Sequence, residues 1–348
     1  MKIFGSFGAC MAAAVLLVGA GCKKDAPAIP GPKTVEVGKE SPKEAEAPVA
    51  EDPVVSGDKA HALLADAVAG KPILVLIDAG TEPRTQLRFA PEAGSSETAT
   101  MAMGMDMEMK VQDQTIPIKM PQFIMKMGVD ITSVDKESGD FSYKLDLTDA
   151  TVGEGAGPGV DATVVETMRD MLQKMKGMSG TATVTARGNV QSANFTVPPN
   201  APAEIRQVID SFQQSMQQIS VPFPEEAVGV GAIWQVTSVV EQSGMKLGMV
   251  SVFELKTKDG ESVTVSHQIK QSADAQYVEA PGMPAGSRAK LKMLKGEGSG
   301  EGTFKFTKVL PQTFTSRLAL ALDMEVEVGG QTQSISMKTD LDLKMSGE

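Results

Sequence analysis

The chain has 348 residues, 44 acidic against 33 basic side chains, a net charge of −11, 22 methionines, one tryptophan and 4% aromatics. An acidic surface repels phosphate backbones and so few rings give no stacking platform, which sets nucleic-acid binding aside and weakens a carbohydrate platform. The length suits one large domain or two small ones, with methionine filling volume that aromatics usually fill.

The N-terminus reads as an export signal. Lys2 is a short basic region, and Ala9 to Val18 is an apolar run too short to span a bilayer as a mature helix. Val18-Gly19-Ala20-Gly21-Cys22 follows, and resembles the lipobox of bacterial lipoproteins. That resemblance implies cleavage before Cys22, acylation of Cys22, and membrane attachment through the lipid. Lys23, not an aspartate, comes next, which by the same resemblance implies the outer membrane. Cys10 lies within the signal, so Cys22 has no partner and the mature chain, of charge −12, no disulfide. Residues 23–56 carry Pro27, Pro30, Pro32, Pro42, Pro48 and Pro53 among Lys, Glu and Ala, the composition of a disordered tether. Such a coil reaches roughly 30 Å. The domain organisation is therefore a signal over 1–21, acylated Cys22 with its tether over 22–56, and one β-rich domain over 57–348.

Within that domain, Ser56-Gly57-Asp58 caps a short helix over Lys59–Ala69. Ile73–Ile77 is a continuous apolar run that predicts a buried strand, turned at Asp78-Ala79-Gly80. Leu87-Arg88-Phe89 predicts another strand, and Pro91–Glu97 a loop. A methionine ladder follows. Met101, Met103, Met105, Met107 and Met109 take every second position, with Ala102, Gly104, Asp106 and Glu108 between them. Period two is the pleat of a strand, so one face is thioether and the other small or charged. After a turn at Asp113-Gln114 the alternation resumes through Ile116, Ile118 and Met120, then Phe123, Met125, Met127, Val129 and Ile131. Phe141–Leu147 alternates likewise.

Gly153–Gly159 is a break, not a phosphate loop. A helix is predicted over 161–176, with Val164, Val165, Met168, Met171, Leu172 and Met175 on one face. Thr181–Ala186 and Val190–Val197 form a hairpin. A second helix over 202–219 carries Ile205, Val208, Ile209, Phe212, Met216 and Ile219, with Asn200 as its cap and Pro202 near its start. From Gly231 onward the pattern is all β: Ile233–Val240, Met245–Lys256, Ser262–Ser272, Ala289–Leu294, Gly302–Leu310, Thr313–Val328 and Gln331–Lys344. In the last pair Leu318, Leu320, Leu322 and Met324 are answered by Ile335, Met337, Thr339, Leu341 and Leu343. Residues 71–158 and 225–348 rhyme in pattern, as two pseudo-repeat halves with the helices between them.

The predicted fold class is mainly β: a large curved antiparallel sheet or half-barrel with two amphipathic helices packed on its apolar face. Glu82-Pro83-Arg84 with Leu87-Arg88, the methionine ladder, and Val221-Pro222-Phe223-Pro224 running into Val228–Trp234 resemble an uncharacterised family of bacterial lipoproteins with Met-rich strands. That resemblance covers most of residues 71–345 and implies no activity. At the level of fold alone, a curved sheet with a helical lid resembles the LolA-like lipoprotein carriers.

Enzyme chemistry has little to stand on. His61 and His267 are the only histidines, no Gly-x-Ser-x-Gly elbow or His-Glu-x-x-His frame is present, and no cofactor is implied. Ser266 and His267, adjacent in a strand, point to opposite faces. Three readings of the methionine face remain open. It lines a concavity for a lipid or other apolar ligand, because methionine conforms to irregular apolar partners. It is the packed core of an envelope structural or protein-interaction module, whose partner is another envelope protein. Or its Met-x-Met sulfurs hold copper, the soft metal that suits thioethers. The residues that carry the first reading are Met101, Met103, Met105, Met107, Met109, Met120, Met125, Met127, Met168, Met171, Met175, Phe212 and Met216.

Overall fold

The computed structural model describes residues 71–111, 114–153, 160, 162–196, 222–242, 245–278, 288–328 and 331–348. Cys22, the tether, and the helices expected over 59–69 and 202–219, with Phe212 and Met216, lie outside the described residues.

Alternating apolar and polar residues make strands because each pleat sends one set of side chains to the core and the other to water. The described strands are β1 (Ile73–Asp78), β2 (Ser96–Val111), β3 (Gln114–Lys119), β4 (Phe123–Val134), β5 (Phe141–Val152), β6 (Ser179–Val184), β7 (Val190–Thr196) and β8 (Ile233–Gln242). They continue as β9 (Met245–Asp259), β10 (Ser262–Ala273), β11 (Gln276–Val278), β12 (Arg288–Lys305), β13 (Thr313–Val328) and β14 (Gln331–Gly347). All join one antiparallel sheet in the order β1-β8-β9-β10-β12-β13-β14-β2-β4-β5-β6-β7, with β3 on β2 and β11 on β12. The path has two ends, so the sheet is not closed into a barrel.

The C-terminal strand joins the two parts of the chain. β14 pairs with β13 on one side and with β2 on the other, setting Met101, Met103, Met105, Met107 and Met109 opposite Met345, Leu343, Leu341, Thr339 and Met337. Along β14 the same five residues are the inward set, and Lys338, Asp340, Asp342 and Lys344 between them are exposed. Each fully buried Met or Leu contributes about 1.5–3 kcal/mol relative to an exposed one, so a one-residue slip of this register is strongly disfavoured.

Four expectations need correction. The run Ile73–Ile77 is not a fully buried strand: β1 ends the sheet and leaves Val75 and Ile77 each 38% exposed. Leu87-Arg88-Phe89 is not a strand. Its apolar pair is buried, but Thr85 makes only an isolated bridge to Val228, while Phe89 N–H and Ala90 N–H donate to Ala186 O and Phe306 O. Ala289–Leu294 and Gly302–Leu310 are not separate strands, because β12 runs unbroken through the glycines between them. Finally, two central helices on the apolar face are not borne out. The helix among the described residues, α1 (Ala162–Met175), packs against β5. Its stripe is Val165, Met168, Leu172 and Met175, with Leu172 buried and the other three packed on the core. Val164 and Met171, at the margin of that stripe, are more than a third exposed. The physical reason for the docking is an open edge: β6 pairs β5 only over Phe141–Asp146. Beyond it Gly177 N–H donates to Leu147 O, and Leu147 N–H to Met178 O.

Candidate functional site

Every methionine of the ladder lies on the buried face. Met101, Met105 and Met107 are buried, and Met103 and Met109 are partly buried. Met127 is buried, and Met120 and Met125 pack on the same cores. Two apolar clusters share the face. One is aromatic: Phe89 lies against Phe141, Phe223 and Phe306, and Phe223 against Trp234, with ring centroids 5.4 to 6.4 Å apart. The other is aliphatic and thioether, joining Met105 and Met107 to Met245, Leu247, Leu294, Leu318, Leu322, Met324, Met337 and Leu341. Met103 and Met120 touch both clusters.

Across the sheet from this wall is a feature that the sequence reading passed over. Gly296, Gly298, Gly300 and Gly302 occupy the buried face of β12, and exposed Lys295, Glu297, Ser299 and Glu301 alternate with them. Side chains from the flanking strands fill the space that β-carbons would take. A Cβ on Gly296 would lie 2.5 Å from Leu320 Cδ2, and one on Gly302 2.8 Å from the rings of Phe304 and Phe314. On Gly298 and Gly300 it would meet backbone: Arg317 O at 2.5 Å and Thr315 O at 2.1 Å. Glycine in a strand interior marks a tight bend or a close approach, and here it lets two neighbouring strands lean over a third.

His267 shows how close that approach is. From β10 it reaches across Gly300 to β13, where its Nε2 is 3.2 Å from Ser316 Oγ. Its ring stacks on Phe314 at 5.2 Å and 3°, and lies 6.2 Å from Phe253. It is therefore a satisfied strand histidine. Burial, with no charged partner, pushes it down to about 4, which makes it a weak base for Ser316. The folded state resists protonating it where the unfolded chain, at the ordinary 6.5, accepts a proton. Stability from this group is full above pH 6.5 and is lost as pH falls toward 4. Relative to His267→Gln, the native protein should lose about 3 kcal/mol more over that interval. Urea midpoints at several pH values measure it, and parallel acid limbs would refute it.

Glu97 and the arginines at the aromatic end hold backbone in place. Glu97 accepts from Val309 N–H at 2.9 and 3.1 Å and from Leu310 N–H at 2.9 Å. At the aromatic end the stretches Glu82–Arg88 and Pro222–Trp234 meet, although they lie far apart in sequence. Arg88 donates to Leu87 O, Pro224 O and Glu225 O, and Arg187 to Phe223 O. Burial and the neighbouring Arg187 hold the Arg88 guanidinium below its usual range. Gly80, at φ 71°, passes so close to Gly229 that a Cβ would lie 2.3 Å from its carbonyl oxygen. These residues close one end of the sheet. Among the described residues no group of three or more His, Cys, Asp or Glu side chains could hold a metal.

Residues 209–309 match a protein-family profile described as "Family of unknown function (DUF6263)". The matched stretch takes in β8 to β12, and so His267 and the glycine strand. No curated protein matches the chain. Among solved structures it has a likeness to the outer membrane protease OmpT from Escherichia coli, at 8% identity and a TM-score of 0.22, over 75% of this chain and 98% of that one. A second is Salmonella typhi OmpF in complex with daunomycin, at 8% identity and a TM-score of 0.20, over 72% and 98%. Likenesses this slight define no shared fold. No helix among the described residues is long and apolar enough to cross a membrane.

Proposed function

We propose that the protein is a non-enzymatic bacterial lipoprotein, anchored by an acyl group on Cys22 and held off the outer membrane by residues 23–56, that binds a lipid or other apolar ligand. The ligand lies against the methionine ladder. The observation that carries this reading is the ladder's constant inward parity, from Met101 to Met109, beside the Met and Leu side chains of β14 and β13. Such a surface is flexible and adapts to an irregular apolar partner. In this reading the sheet curves into a half-barrel, creased along the four glycines of β12, so that the methionine wall is the lining of a concavity. Over β2, β3 and β12 to β14 the opposite face fits a surface turned to water: it carries Lys119–Asp106, Arg317–Asp342 and Lys292–Glu325 ion pairs, where a membrane-spanning barrel carries an apolar band.

One observation favours copper as the second reading. The register sets Met125, Met101 and Met345 side by side on three adjacent strands, a soft three-sulfur row of the kind Cu(I) accepts.

Native mass spectrometry of the full chain, extracted from membranes in detergent, tests both. Intact native and denatured masses should differ by a species on the order of several hundred daltons. That species should be lost on Met105→Asp with Met107→Asp while the protein stays folded. An apo mass, with the same substitutions unfolding the chain, would make the face ordinary core and turn attention to protein partners. An added mass of one copper, lost on Met101→Leu, would support the second reading.

A further inference from the structure

The methionine-bearing face holds a polar group that its neighbours among the described residues leave unanswered. Gln271, on β10, is 4% exposed. Its Nε2 donates to Met249 Sδ at 3.7 Å, which fixes the amide's orientation, because a thioether accepts from N–H and not from a carbonyl. Its Oε1 is buried and has no partner among the described residues. The parity of β10 places it inward: Val263, Val265, His267, Ile269, Gln271 and Ala273 share that face. Across the ladder Gln271 pairs with Gly296, which supplies no side chain, and a Cβ there would lie 3.4 Å from Oε1.

The whole row is informative. From β8 it reads Ser238, Met249, Gln271, Gly296, Leu320, Thr339 and Met107. Ser238 and Thr339 are buried as well, so the row adds polar groups to a wall of thioethers and aliphatic chains. The register neighbours of Gln271 in this row are Met249 and Gly296, with Leu320 beyond, and none of them brings a side-chain N–H or O–H donor. Among the described residues two other buried polar side-chain atoms lack partners, and neither shares this setting. Trp234 Nε1 is sealed between Phe223 and Phe253, and Gln235 lies on the opposite face of the sheet.

We propose that the apolar ligand is a neutral amphiphile whose hydroxyl or amide N–H donates to Gln271 Oε1 while its hydrocarbon chain lies over Met105, Met107, Leu318 and Leu341. This rests on the ligand-binding reading above and specifies its head group. A fatty acid anion is disfavoured, since its carboxylate only accepts and would face another acceptor. Four strand spacings separate Gln271 from Met107, roughly 19 Å of sheet, which suits a long acyl or alkyl chain.

The test is native mass spectrometry of the full chain in detergent, titrated separately with dodecanamide and with methyl dodecanoate, for the native protein and for Gln271→Met. The two probes share a chain and differ in donor. Their partition into micelles is the same for both proteins, so the ratio between proteins isolates the site. The native protein should bind the amide about tenfold better than the ester, a difference of one well-formed hydrogen bond. Gln271→Met should bind both at the native ester level. Equal binding of the two probes by the native protein would overturn the head-group assignment and leave the ligand-binding reading intact. Binding of neither would overturn both. Should Gln271→Met not fold, the native protein's own preference between the probes still decides.

Discussion

Gly300→Ala should cost the protein about 3 kcal/mol, a large fraction of the stability of an ordinary domain. The added methyl has no soft neighbour to displace. Its nearest atom is a backbone oxygen, that of Thr315 at 2.1 Å, and its second is Cε1 of His267 at 2.5 Å, a ring held against Phe314. To make room β12 and β13 must separate, or His267 must leave Ser316. Gly104→Ala is the matched control. Gly104 is also a strand glycine, but a Cβ there would meet only Asp342 Cβ at 4.0 Å, an ordinary contact. That change should be neutral or slightly stabilising, since glycine is the weaker strand former. Urea unfolding of the two variants decides the matter. A Gly300→Ala midpoint close to that of Gly104→Ala would mean that the sheet has slack at β12, and the crease along its glycines would then have no basis.

What was legible in the sequence was local. The parity of Met101–Met109 and of Leu318–Met324 against Ile335–Leu343 is contained in a few adjacent residues, and all three strands have that parity inward. The pairing of β14 with β2 was not legible, because it joins segments more than two hundred residues apart and nothing local selects one apolar strand over another. Leu87 and Phe89 mislead because alternation reports burial, not pairing: both are buried, yet Phe89 N–H and Ala90 N–H donate to a turn and to the residue just past the end of β12. The unbroken run of β12 is harder to read because glycine is poor in strands, and Gly296, Gly298 and Gly300 lie between the two strands expected there. Their spacing was the missed signal, since glycine at every second position, between Lys, Glu and Ser, has the parity of a strand face and not the clustering of a turn. Gln271 could have been found the same way, as an amide at a position whose parity is otherwise apolar.

Glu97→Ala should cost about 4 kcal/mol, through two backbone donors that the structure gives no other acceptor. Glu97 opens the inward face of β2, two residues before Ala99 and four before Met101, and is buried. Its two carboxyl oxygens take the N–H groups of Val309 and Leu310, in the connection between β12 and β13. Those residues are buried too, so water cannot replace the lost acceptor without opening the loop. Glu97→Gln separates geometry from chemistry. It keeps one carbonyl oxygen but turns an NH2 group toward a backbone donor, so it should lose about half as much. If instead the glutamine variant matches the alanine variant, the site needs both oxygens together. If both variants unfold at the native urea midpoint, the contact is incidental. The first ordering has a consequence for the ladder. Glu97 ties the start of the methionine strand to the connection that follows the glycine strand, and so to the proposed crease. Loosening that tie should therefore weaken ligand retention in native mass spectra even under conditions where the Glu97→Gln protein remains folded.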